Sequence, residues 1–336
     1  GEPATLSKIL PVLENFGLDV ITAQTYEFSP HLGSNTTETS HEPWLQEYSL
    51  TLCHHSMLDM TVVGKQVEEA LALIWQGKVE NDGLNELVLT TPLDVHEVAI
   101  LRALSHYMRQ VKVPFSLSYI KQTLIKYPEI SQNFIRLFHA RMLPDDVKAL
   151  MQDKGSTYFS ATYAPTIRHD NANDDVTNTP PSHTVAYFEN AINDALKNVQ
   201  SLDEDKILHW VLDLLGAMVR TNYYQRQDGQ RKNRLSFKFA ASKIPHLPKP
   251  KPMFEIFVYS PRVEAVHLRG GKVARGGLRW SDRMEDFRTE VLGLVKAQMV
   301  KNAVIVPVGS KGGFIVKTKS PQDGREVFAA EGVACY

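Results

Sequence analysis

Residues 270–314 read GGKVARGGLRWSDRMEDFRTEVLGLVKAQMVKNAVIVPVGSKGGF. Glycines, lysines, arginines and one glutamine surround an apolar pattern of helical period. Asp286 is suited to cap a helix running to about Asn302, with Glu290 in its first turns, where negative charge complements the helix dipole. Val291, Leu294 or Val295, Met299 and Val300 form the apolar stripe. Gln298 and Lys301, three apart, share one face of that helix. VIVPV then reads as a buried strand, which Gly309-Ser310-Lys311-Gly312-Gly313 breaks before FIVK resumes. Glycines let a backbone turn sharply and approach a ligand closely. A lysine in such a break can act as a base or hold a carboxylate.

Upstream of this stretch the pattern is strand-rich. RLSFKFA, FEIFVYS and RVEAVHLRG read as strands, the first two joined by the proline-rich bridge KIPHLPKPKPM. Two helices are expected before them, over 184–199 and 202–221, the second capped by Ser201. RHDNANDDVTNTPPS, residues 168–182, reads as an exposed linker. From Leu87 to Gln152 the period is helical, with Val95, Val98, Leu101, Leu104 and Met108 on one stripe. The first segment mixes signals. A helix through Leu6–Phe16 stops at Gly17, the strands LDVITAQTYEF and WLQEYSLTL form a hairpin, and Val67–Trp75 is again helical.

Composition bounds the function classes. The chain has 336 residues, 43% hydrophobic and 22% charged, with a formal net charge of −1. That is long enough for two or three domains, and it gives no global electrostatic attraction to nucleic acid or an anionic membrane. Its 2 cysteines, Cys53 and Cys335, make no disulfide framework and suit a reducing, cytoplasmic setting. No apolar run approaches a membrane span and no secretory signal is visible. Cys53-His54-His55 has no second cluster to complete a metal site. Trp44 and Trp75 are expected in the core or at a domain interface. Neither glycine cluster fits a phosphate loop or a G-x-G-x-x-G turn. Both ends read as cuts in a longer polypeptide.

The run R-G-G-L-R, a helix carrying Q-x-x-K and an apolar strand ending P-V-G-S-K-G-G together resemble the substrate-binding half of the glutamate dehydrogenases. The fuller wording ARGGLRWSDRMEDFRTEVLGLVKAQMVKNAVIVPVGSKGGF is similar to the large multidomain NAD-specific enzymes of bacteria. ENDGLNELVLTT, SLDEDKILHWVLDLLGAMVRTNYYQ and PKPKPMFEIFVYSPRVEAVHLRGGKVARGG extend the resemblance over most of the chain.

The resemblance implies a mixed α+β and α/β fold: an ACT-like module over 1–70, a helical connector over 71–200 and the start of the substrate-binding domain over 201–336. It implies oxidative deamination of L-glutamate to 2-oxoglutarate and ammonia. Lys311 is then the catalytic lysine, and Gln298 and Lys301 hold the α-carboxylate. Arg275, with Gly276 and Gly277, takes the place of the K-G-G of the small enzymes and holds the side-chain carboxylate, while Gly312 and Gly313 admit substrate. Arginine keeps the charge there and adds a bidentate fork. NAD is expected on a domain beyond Tyr336, as is the family's catalytic aspartate, so this chain alone is expected to be inactive. A homo-oligomer and an amino-acid effector are the expected partners. The alternative is a segment serving mainly regulation and assembly. A different amino-acid dehydrogenase is disfavoured by Arg275, which does not suit a purely apolar pocket.

Overall fold

A computed structural model describes residues 4–27, 44–52, 60–144, 185–273, 276–301 and 309–336. VIVPV, the linker over 168–182, Cys53–His55 and Arg275 lie outside the described residues. The chain opens with α1 (Leu6–Glu14), ending at Gly17, whose φ of +73° explains the glycine. Strands β1 (Leu18–Glu27) and β2 (Trp44–Leu52) pair antiparallel, and α2 (Met60–Trp75) follows. The alternation in β1 implied one buried face. Instead the hairpin is largely exposed, with Ile21 66% and Leu45 51% accessible. Trp44 and Trp75, expected in the core or at a domain interface, are 37% and 57% exposed.

The helical layer comprises α3 (Glu86–Thr90), α4 (Val95–Gln110), α5 (Leu117–Lys126), α6 (Pro128–Met142), α7 (Val185–Leu196) and α8 (Leu202–Ala217). Helix α4 lies at its centre. Asp94 caps it with a reciprocal box, accepting from the Glu97 N–H at 2.7 Å while Glu97 accepts from the Asp94 N–H at 2.9 Å. Ser201 caps α8 by accepting from the Glu204 N–H. The expected continuation of α8 to 221 fails at Met218. Residues Met218–Thr221 form β3, an edge strand paired with β6, since a β-branched MVRT segment gains a sheet partner there.

After the short hairpin β4 (Arg226–Gln227) and β5 (Gln230–Arg231) come β6 (Leu235–Ala240), β7 (Phe254–Tyr259), β8 (Val263–Arg269) and β9 (Leu278–Trp280). Helix α9 (Phe287–Lys301), β10 (Ser310–Val316) and α10 (Arg325–Cys335) complete the chain. The main sheet runs β3-β6-β7-β8-β10-β9, antiparallel except where β10 meets β9. One face carries Phe237, Phe239, Phe257, Val266, Leu268 and Ile315 into the core. Among the described residues no helix is long and apolar enough to cross a membrane.

What joins the layers is polar and buried. Tyr107 of α4 donates to Glu255 of β7 at 2.6 Å, and Arg288 of α9 grips the same carboxylate through Nε at 2.9 Å. His106 Nδ1 lies 2.6 Å from Glu264 of β8, which Lys317 and Arg109 also approach. Burial alone would raise the Glu264 pKa. His106, Lys317 and Arg109 outweigh it and hold the carboxyl near about 2. Such pairs are a weak source of net stability, yet removing one partner costs about 3–5 kcal/mol, because the other charge stays buried. They therefore fix how α4 sits on the sheet.

Candidate active site

Several pieces of backbone converge at the start of β10. The Gly276–Gly277 loop runs along it: the Gly312 N–H donates to the Gly277 carbonyl at 3.4 Å. A Cβ at Gly276 would stand 1.8 Å from the Ser310 carbonyl oxygen and 3.5 Å from Lys311 Cδ, so only glycine permits this approach. Helix α9 packs from the other side. Its Val291 lies 2.6 Å from where a Cβ on Gly313 would stand, and its Gln298 lies 2.2 Å from the corresponding point on Gly309.

The sequence GSKGG was expected to break a strand. In the structure Ser310–Val316 is one continuous strand, hydrogen-bonded to β8 on one side and to β9 on the other. The glycines are there to let side chains of neighbouring elements close over the strand. Alternation puts Lys311 on the same face as Gly313, the face on which α9 packs, and Lys311 is half-buried. Gly312 faces the other way, against Leu278 and His267. His267 is thus turned away from Lys311; its partial burial, and then Arg269, lower its pKa.

The structure therefore brings together Gly276, Gly277, Gln298, Lys311, Gly312 and Gly313. Lys301 is the last residue of α9, one turn beyond the half-buried Gln298. The stripe of α9 differs from its expected form. Phe287, Val291, Leu292 and Val295 are buried, whereas Met299 is 41% exposed. Asp286 precedes the helix as expected, but its carboxylate accepts from Arg283 Nε at 2.8 Å rather than from a backbone amide.

Sequence reasoning missed the ties that position β9. Glu290 accepts from Ser281 Oγ at 2.6 Å and pairs with Arg279 at 2.5 Å, joining β9 to α9. Trp280 stacks on Phe314 at 5.9 Å and meets Phe328 of α10 at 4.6 Å. The available signal was the RWS triplet opposite an acidic helix turn, which becomes readable only once β9 is known to pair with β10.

Three family models match the chain in succession. The glutamate dehydrogenase ACT3 domain matches residues 1–63, helical motif 3 of glutamate dehydrogenase matches 79–144, and the catalytic domain of bacterial NAD-glutamate dehydrogenase matches 191–336. The chain belongs to the bacterial NAD-glutamate dehydrogenase family. Among its relatives are the NAD-specific glutamate dehydrogenases of Pseudomonas aeruginosa, 43% identical over 99% of this chain, and of Halomonas elongata, 42% identical over 100%. That of Mycobacterium tuberculosis is 40% identical over 100%. This chain spans 18%, 18% and 19% of their respective lengths.

Among the described residues, the strand–helix–strand unit at this site does not fit NAD itself. Among the described residues β9–α9–β10 is a parallel βαβ unit, but its strand-to-helix turn, Ser281–Asp286, contains no glycine. The Arg283–Asp286 pair also sets a carboxylate at the helix start, where a pyrophosphate would need bare amides.

Proposed function

We propose that this chain contributes the glutamate-binding part of an NAD-dependent glutamate dehydrogenase, which converts L-glutamate to 2-oxoglutarate and ammonia and holds NAD on a segment outside it. Its division is an ACT-like module over 1–70, a helical connector over 71–200 and the start of the substrate-binding domain from 201 to 336. The observation that supports this is the meeting of the Gly276–Gly277 loop, Gln298 of α9 and Lys311 of β10.

In this reading Arg275 binds the side-chain carboxylate, while Gln298 and Lys301 bind the α-carboxylate. Two fixed anchors hold Cα in one pose, which is the entropic part of the catalysis. Lys311 in its neutral form takes a proton from water as the water oxygen adds to the iminium carbon. The resulting ammonium returns that proton to the departing amine. Gly312 and Gly313 keep the strand narrow beside the substrate.

The test is made in the longer protein. Lys311→Ala is expected to lower kcat by about 10²–10⁴-fold with a much smaller change in KM. Arg275→Ala should chiefly raise KM. Retention of more than about a tenth of kcat by Lys311→Ala would reduce this lysine to a structural role.

A second role is favoured by the exposed hairpin. Leu45 and Leu50 of β2 stand 51% and 40% accessible on opposite faces of the hairpin, and each face offers apolar surface to another subunit or domain of a homo-oligomer.

A further inference from the structure

A cavity of ≈ 600 Å³ lies between α2, α4, the β4–β5 hairpin and the Tyr259–Pro261 turn, well away from Lys311. Its size falls in the range of small-molecule sites. Its walls belong to different parts of the chain. Helix α2 begins within the ACT3 match and lines the cavity just beyond it, α4 lies in the helical motif, and β4–β5 lies in the catalytic match.

The lining is cationic. Lys78, Arg102, Arg226 and Arg231 all face it, and the acidic wall residues are Glu69 and Glu80. Glu80 is already engaged by Lys317 and by the Tyr259 hydroxyl. Arg102 is the decisive residue, since it is fully buried. Its Nε and Nη2 donate to Asp82 at 2.9 and 3.0 Å, and Nη2 also donates to Asn85 at 2.7 Å. Its Nη1 is buried with no partner. Asp82 serves Lys121 as well, at 2.6 Å, so one carboxylate is shared by two cations. A buried guanidinium with an unmet N–H is unfavourable unless something accepts from it. Arginine's planar fork matches carboxylate and phosphoryl oxygens. Leu73, Val79 and Ala99 supply an apolar wall for the body of such a ligand.

We propose that this cavity is a binding site for a small anionic metabolite, whose carboxylate or phosphoryl group is received by Arg102 with Arg231 and Lys78. A ligand there touches the regulatory, helical and catalytic segments at once, so its binding favours one arrangement of the three.

Calorimetric titration of the chain with sodium pyrophosphate and, separately, with succinate tests the site. Saturable binding of pyrophosphate alone identifies a phosphoryl ligand and of succinate alone a carboxylate ligand; either supports the site. Arg231→Gln combined with Lys78→Gln is expected to weaken binding at least about tenfold, one lost charge-assisted contact being worth that much. Ala99→Phe, which fills the cavity without removing a charge, should abolish it, with circular dichroism showing both variants folded. Heat that survives Ala99→Phe unchanged belongs to another site and overturns the proposal. So does the absence of saturable heat with both probes. Neither result bears on the role of Lys311.

Discussion

At the scale of single residues, the glycines around β10 do different jobs, and substitution separates them. A Cβ added at Gly313 would stand 2.6 Å from Val291 Cγ2 and 3.3 Å from the Arg279 carbonyl oxygen. Val291 is fully buried and cannot step aside. Gly313→Ala is therefore expected to destabilise the chain by about 1–3 kcal/mol as an overpacked site. Gly277 has nothing within 4 Å of its missing Cβ, so Gly277→Ala should leave the urea midpoint close to wild type. Equal midpoints for the two variants would contradict the packing described. Gly309 is a third case. Its obstacle is the side chain of Gln298, which is half-buried and long enough to swing away. Gly309→Ala should cost little stability yet displace the Gln298 amide. In the longer enzyme it should raise the KM for glutamate more than it lowers kcat. An unchanged KM would remove Gln298 from the substrate site.

At the scale of elements, α4 shows how much a helix depends on what surrounds it. Its sequence contains the polar residues Arg102, Ser105, His106 and Gln110, yet all are buried. Each turns to a partner on another element or on its own backbone. Gln110, for example, donates to the Met284 carbonyl at 3.1 Å and accepts from the Arg288 N–H. The start of the helix is set locally by the Asp94–Glu97 box. Asp94→Ala should cost about 1 kcal/mol, the usual worth of an N-cap, measured by thermal unfolding. A loss below a few tenths would mean that tertiary packing alone fixes the start of α4.

At the scale of the whole molecule, α4 and the sheet are held together by buried carboxylates whose charge depends on pH. The Glu264 pKa is held near about 2 in the folded chain, against an ordinary value of 4.5. A depressed folded pKa means that stability is fully present above the unfolded pKa. It is lost as pH falls toward the folded one. Between about pH 5 and pH 2 this group should withdraw about 3 kcal/mol. Glu264→Gln should flatten that acid limb in denaturant titrations, while lowering stability at neutral pH because Lys317 and Arg109 each lose one of their two carboxylate partners. A variant with the same acid slope as wild type would show that Glu264 is not a source of it.

The sequence by itself determined the family and most of the elements. Local signals are enough for a cap at Ser201, a glycine at 17 with positive φ, the alternation of FEIFVY and the spacing of Gln298 and Lys301, because each depends on a residue and its near neighbours. Only the tertiary structure decided that Ser310–Val316 is one strand. Its glycines leave room for Val291 and Leu278, which come from distant turns of chain, and no local pattern records that closeness. The exposure of the β1–β2 hairpin and the burial of Arg102 and Arg288 were likewise decided there. Whether a polar residue faces water or a buried partner depends on which carboxylate another element delivers, and that pairing is a property of the packed chain.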